Sequence, residues 1–253
     1  MKVAFIGLGN MGASLAKAVA KEVAATDLLL VNRSPQKVQE FIGQYGGTAS
    51  DLEEAFKEAE VIFLGVKPYQ ICPLLEEYQT VLSQRSNLLL VSMAAGLELD
   101  KMARVVKNDR VGLIRIMPNT PVAIGQGVLS LARSQVVTDQ QVAQVNQLLA
   151  GAGALYEIEE TLMDAATAVA GCGPAFVYQM IEAMADAGVS LGLTREQALQ
   201  MVAQTFQGAS QMVLETGEHP ARLRDAVCSP GGSTISGVNR LEQVGLRGDI
   251  IAG

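Results

Sequence analysis

The chain has 253 residues, 49% of them hydrophobic, which is enough apolar material for one large domain or two modest ones with a sizeable core. A formal charge of -7 and a pI near 4.9 exclude broad attraction to nucleic acid or an anionic membrane, so any anionic ligand must be held by local groups. Cys72, Cys172 and Cys228 are odd in number and lack metal-ligand spacing, and no apolar run approaches a membrane span or a signal-peptide core; free thiols, no metal and a cytoplasmic location are expected.

The first element is a short apolar strand, Val3 to Ile6, that runs into Gly7-Leu8-Gly9-Asn10-Met11-Gly12. Leu15, Val19 and Val23 follow at helical spacing, so the glycines stand where a strand turns into a helix. That context suits a pyrophosphate: one glycine makes the turn, one admits close backbone approach, one lets helix meet strand, and backbone N–H groups face the anion. A plain glycine turn is the alternative. Leu28 to Val31 reads as a strand buried on both faces, and Asn32-Arg33-Ser34 occupies its carboxyl end, where the ribose is read. A guanidinium and a hydroxyl with no carboxylate favour NADP, although Ser34 would also serve as a helix cap before Pro35.

Ser50-Asp51-Leu52-Glu53 reads as a capping box, and Val61 to Leu64 as another buried strand that delivers Gly65-Val66-Lys67-Pro68 to the ligand-binding edge. Lys67 there suits a ribose or phosphate, or merely solvent. Leu88 to Val91 is the next strand and ends in Ser92-Met93-Ala94-Ala95-Gly96, whose small residues would admit a flat nicotinamide ring or simply form a tight turn. After a strand from Val111 to Ile116, Met117-Pro118-Asn119-Thr120-Pro121 makes a stiff loop that presents Asn119 as a candidate cofactor contact. A strand near Gly125 to Leu131, a helix capped by Thr138 to Gln141, and a last strand from Ala154 to Ile158 complete a doubly wound, mostly parallel α/β domain over residues 1–158.

From Thr161 the pattern is helix after helix, which assigns 159–253 to an all-α domain. Its apolar faces, Phe176 to Leu191 and Leu199 to Val213, are broader than a small bundle can hide, so an interlocked homodimer is expected, the alternative being packing on the first domain. His219, beside Pro220 at a helix start, reads as structural. Ser229-Pro230-Gly231-Gly232-Ser233-Thr234 reads as a turn into a helix whose open N–H groups and two hydroxyls make a carboxylate cradle; a turn with an N-cap is the simpler reading.

Taken together, the glycine turn, Val66-Lys67-Pro68, Met117 to Pro121, Gly171-Cys172-Gly173-Pro174-Ala175 and above all His219-Pro220 with Leu223, Asp225, Val227 and Ser229 to Thr234 resemble the pyrroline-5-carboxylate reductases over nearly the whole chain. The resemblance implies a Rossmann domain on NADPH, with NADH as an alternative donor. It implies a helical domain intertwined with that of a second subunit, the dimers assembling into larger rings, and hydride transfer to the imine carbon of pyrroline-5-carboxylate, a small-molecule substrate. Carried over by residue, Val227 and Ser229 to Thr234 would bind substrate, with Gly231, Gly232 and Ser233 in the carboxylate cradle and the Thr234 hydroxyl on the ring nitrogen. Thr234 and Ser233 are then the catalytic candidates. Cofactor binding would fall to Gly7, Gly9, Asn10, Met11, Gly12, Asn32, Arg33, Ser34, Val66, Lys67, Pro68, Ala94, Ala95, Gly96 and Asn119. Cys172 and Phe176 stand where the family usually has Ser and Tyr. NADP-dependent β-hydroxyacid dehydrogenases share the glycine turn but use a lysine of the second domain, and this chain has none after Lys107. A non-catalytic NADP sensor would leave the Ser229 to Thr234 cradle unused.

Overall fold

A computed structural model describes residues 1–253, which divide into two compact units, Met1–Phe176 and Val177–Gly253. The first unit is an eight-stranded sheet: β1 (Val3–Ile6), β2 (Leu28–Val31), β3 (Thr48–Ala49), β4 (Val61–Leu64), β5 (Leu88–Ser92), β6 (Val111–Pro118), β7 (Gly127–Arg133) and β8 (Gly153–Glu157). Their order in space is β3-β2-β1-β4-β5-β6-β7-β8. Every pair is parallel except β6 and β7, so the last two strands run against the rest. The loop from Asn119 to Gln126 explains the reversal, because it is too short for the helical crossover that a parallel neighbour demands.

Strands β1, β2, β4, β5 and β6 are buried on both sides, and successive residues serve opposite cores. Val3 and Phe5 face one core with α1 (Asn10–Val19), α2 (Pro35–Tyr45) and, further along the chain, the helix Asp139–Leu149; Phe5 stacks on Phe63 with ring centroids 4.5 Å apart. Ala4 and Ile6 face the other core, built with α3 (Leu52–Glu58), α4 (Pro68–Glu77), α5 (Gln79–Gln84) and α6 (Leu99–Val106). The helix Asp139–Leu149 is α7, and Thr138 and Gln141 cap it reciprocally as expected. The cap of α3 is displaced by one residue: Asp51, not Ser50, accepts the Glu54 N–H, at 2.8 Å, because Asp51 is the residue directly before the helix whose backbone is still extended.

After β8 the chain makes a 3₁₀ turn at Glu160–Leu162, the short helix α8 (Met163–Ala166) and a π-helical turn at Thr167–Gly171, closed by the Cys172 N–H on the Thr167 carbonyl at 2.8 Å. The helix α9 (Gly173–Ser190) then leads into the second unit, which continues with α10 (Arg195–Thr216), α11 (Pro220–Ala226), α12 (Ser233–Gln243) and α13 (Leu246–Ala252). Ala185 and Ala198 are the buried residues of these helices, while Leu191, Leu214, Val227 and Ile251 are mostly exposed. No helix is long and apolar enough to cross a membrane.

Candidate functional site

The register of the central strands assembles the first part of the site. Val31, Ile6, Leu64 and Ser92 pair across β2, β1, β4 and β5. The residues that follow each strand therefore leave the sheet side by side at its carboxyl edge. Asn32–Ser34, Gly7–Gly12, Val66–Pro68 and Ala94–Gly96 all lie on this edge, and β1 is the point from which strand order proceeds in opposite directions. In open α/β sheets that is where ligands bind.

The glycine turn is shaped by contact between backbones. Gly7 has φ +102° and donates its N–H to the Val31 carbonyl at 2.8 Å. A methyl group on Gly65 would come within 2.6 Å of the Gly7 carbonyl oxygen, and one on Gly12 would overlap the same oxygen. The Gly12 and Gly65 positions thus bring α1 and the end of β4 onto the turn. Gly65 was not singled out from sequence, though a glycine directly after a buried strand is a signal of close backbone approach. Gly9 differs: a side chain there would meet only open space. It is the N-cap of α1, whose first bond runs from the Ala13 N–H to the Gly9 carbonyl at 2.8 Å. With no side-chain cap, the N–H groups of Asn10, Met11 and Gly12 stay open beside that space, and the arrangement fits a pyrophosphate.

Asn32 is half-buried and spends both ends of its amide on the chain. Its Oδ1 accepts the Leu8 N–H at 3.0 Å, and its Nδ2 donates to the Ser34 carbonyl at 3.2 Å. Arg33 is exposed and has no ion pair. Ser34 occupies the N-cap position of α2, yet its hydroxyl makes no capping bond. A guanidinium and a hydroxyl are both left open at the end of β2, a donor set suited to a phosphate.

At the end of β4, the Lys67 N–H is held by Gln70 Oε1 at 3.2 Å, which fixes the loop and leaves the Lys67 ammonium exposed. At the end of β5 the buried Ser92 Oγ accepts the Ala94 N–H at 3.3 Å, whereas Ala95 and Gly96 are exposed. Asn119 is buried, with its Nδ2 on the Ala170 carbonyl and its Oδ1 on the Val128 N–H, each at 2.9 Å. It fastens the π-helical turn to the loop between β6 and β7.

In the second unit, Ser229 and Gly232 close a turn, with the Gly232 N–H on the Ser229 carbonyl at 3.0 Å. Pro230 precedes Gly231, whose φ is +67°, a combination characteristic of a type II β-turn. Gly232 is the N-cap of α12, so Ser233 and Thr234 fall in its first turn and neither hydroxyl is used as a cap. Both side chains are exposed, and neither bonds within the chain. Upstream, His219 caps α11 through Nδ1, which accepts the Ala221 N–H at 3.2 Å, in keeping with a structural role. Arg224 bonds Asp225 at 2.8 and 3.1 Å, and that carboxylate raises the guanidinium above its ordinary pKa.

Comparison with known proteins places the chain. It is 41% identical over 253 residues to the pyrroline-5-carboxylate reductase of Escherichia coli (strain K12), covering 99% of this chain and 93% of that one. It belongs to the pyrroline-5-carboxylate reductase family. The Arabidopsis thaliana member is 38% identical over 99% of this chain and 90% of its own. Residues 160–253 match the family model for pyrroline-5-carboxylate reductase dimerisation, and residues 2–96 match the model for NADP oxidoreductase, coenzyme F420-dependent. Among solved structures, a pyrroline-5-carboxylate reductase from Coxiella burnetii superposes with a TM-score of 0.92 at 30% identity, covering 99% of this chain and 93% of that one. The Plasmodium falciparum pyrroline carboxylate reductase with NADP bound gives 0.85 at 32% identity, covering 100% and 93%. Family membership thus agrees with a Rossmann-like first part followed by a helical dimerisation domain.

Proposed function

We propose that this protein reduces 1-pyrroline-5-carboxylate to L-proline with NADPH, the last step of proline biosynthesis. The reading is carried by membership of the family at 41% identity over 99% of the chain. It assigns cofactor binding to residues 1–158 and both dimerisation and substrate binding to 159–253, in a cytoplasmic homodimer that assembles into a larger ring.

NADPH, when bound, supplies the hydride that adds to the imine carbon. The chain's part is to hold and orient. The open N–H groups after Gly9 would hold the pyrophosphate, and Arg33 and Ser34 the ribose phosphate. Val66-Lys67-Pro68 and Ala94-Ala95-Gly96 would line the nicotinamide side of the cofactor, with Asn119 holding the next loop. At the start of α12, open N–H groups would hold the substrate carboxylate and the Thr234 hydroxyl would hydrogen-bond the ring nitrogen, with Val227 and Ser229 beside them. A protonated imine is already electrophilic, so orientation and electrostatics suffice and no covalent nucleophile is needed.

The direct test is NADPH oxidation with pyrroline-5-carboxylate, set against a panel of hydroxyacids in the reverse direction. Turnover of the imine alone is expected. Turnover of a hydroxyacid instead, or NADPH binding with no turnover of the imine, would overturn the reading.

A further inference from the structure

We propose that Asn32 helps set cofactor choice, acting as a neutral tie between the turn that meets the pyrophosphate and the segment that meets the ribose phosphate. The inference rests on the reading of the first unit as an NADP-binding domain. It goes beyond that reading in giving Asn32 a positioning role in place of direct contact with the phosphate.

Three observations carry it. First, Asn32 follows β2 directly, at the carboxyl end of the strand from which an acidic side chain reads the ribose 2′-hydroxyl in NAD-binding Rossmann domains. Here the same position holds an uncharged amide of the same shape. Second, its two ends are spent in opposite directions along the edge: Oδ1 fixes the Leu8 N–H inside the glycine turn, and Nδ2 fixes the Ser34 carbonyl. Third, the groups that remain open beside it are the unpaired Arg33 guanidinium and the Ser34 hydroxyl.

The bond to Leu8 should serve any dinucleotide, since it shapes the turn. The bond to Ser34 should serve only one with a 2′-phosphate, since it places Arg33 and Ser34. A carboxylate at position 32 would still accept from Leu8, yet it would face the Ser34 carbonyl without a proton to donate and would repel a phosphate. Neutrality and polarity together are what this position requires.

The test uses the full-length protein and its variants Asn32→Asp and Asn32→Ala. Dissociation constants for NADP⁺ and NAD⁺ are measured by titration calorimetry, alongside KM and kcat with each reduced cofactor and the melting temperature of the free protein. For Asn32→Asp the ratio of NADP⁺ to NAD⁺ affinity should fall by about 100-fold, with NAD⁺ affinity held or improved. For Asn32→Ala both affinities should fall, NADP⁺ by roughly 10-fold more than NAD⁺, as a neutral change isolates the lost bonds from the added charge. In both variants the change should appear in KM, with kcat nearly unaltered. Equal losses for the two cofactors in the alanine variant, or an unchanged ratio in the aspartate variant, would overturn the proposal by reducing Asn32 to a stability role. Wild-type protein that binds neither dinucleotide would overturn it together with the cofactor reading. The affinity ratio decides the role of Asn32 whether or not pyrroline-5-carboxylate is turned over, so a failed substrate assignment is seen separately.

Discussion

Arg115 reaches from the middle of β6 to Glu160 at 3.3 Å, and the same Glu160 Oε1 accepts the Leu99 N–H at 2.8 Å. One carboxylate oxygen therefore compensates a buried guanidinium and completes the start of α6, just after the Ala94–Gly96 loop. Removing the carboxylate should cost more than removing the guanidinium. Glu160→Ala is expected to destabilise the fold by about 3 kcal/mol because it strands a buried charge, while Arg115→Met should cost much less. Chemical denaturation of the two variants checks this; equal losses would mean that the pair is not what Glu160 contributes.

The contact between glycine backbones makes a prediction separate from chemistry. Gly12→Ala puts a methyl group against the Gly7 carbonyl oxygen. It should destabilise the protein by about 1–3 kcal/mol and weaken NADPH and NADH alike, since the distortion lies in the turn both share. Calorimetric titration with each cofactor measures the loss, and selective weakening of one cofactor would contradict it.

Arg33→Ala should have the opposite signature. With no ion pair to lose, the free protein should keep its melting temperature, while NADPH affinity falls about 10- to 100-fold and NADH affinity stays nearly constant. Equal weakening of the two would remove the guanidinium from phosphate binding.

Thr234→Ala is expected to lower kcat for pyrroline-5-carboxylate by about 10- to 1,000-fold, roughly 1.4 to 4 kcal/mol, with NADPH affinity unchanged. Thr234 lies in the first turn of α12 with Gly232 as the cap, so the loss of its hydroxyl removes no capping bond. Steady-state kinetics with a parallel melting curve separate the two effects, and full turnover would take Thr234 out of the mechanism.

The apolar side chains of α10 bear on assembly. Leu199 and Leu214 are exposed in the isolated chain. Leu199→Asp and Leu214→Asp should each shift the protein toward monomer in sedimentation velocity at a concentration where the wild type is dimeric. A wild type that sediments as a monomer would overturn the proposed homodimer.

How much of this was readable from residues alone follows from burial. The strands β1, β2, β4, β5 and β6 are buried on both faces and appear as apolar runs, broken only by Arg115 in β6 and by Ser92 at the end of β5, so their existence was legible. The alternation of strand and helix made the mostly parallel direction legible as well; the reversal at β7 was not, because only the short loop before it betrays it. The two-residue β3, exposed at the sheet's edge, leaves no hydrophobic signal at all. The glycine turn was legible because its spacing is a backbone requirement. The part played by Asn32 was not, since it depends on Ile6 pairing with Val31 and so on which strand ends stand together. Likewise Glu160 reads as the start of a helical region, while its partners lie 45 and 61 residues away.

The second unit has one more consequence. Helices whose buried residues are Ala185 and Ala198 gain little hydrophobic stabilisation within their own chain. In a protein with a dimerisation domain, the missing burial comes from association, which is a mass-action quantity. The unfolding midpoint of this half should rise with protein concentration, and dilution alone should loosen it.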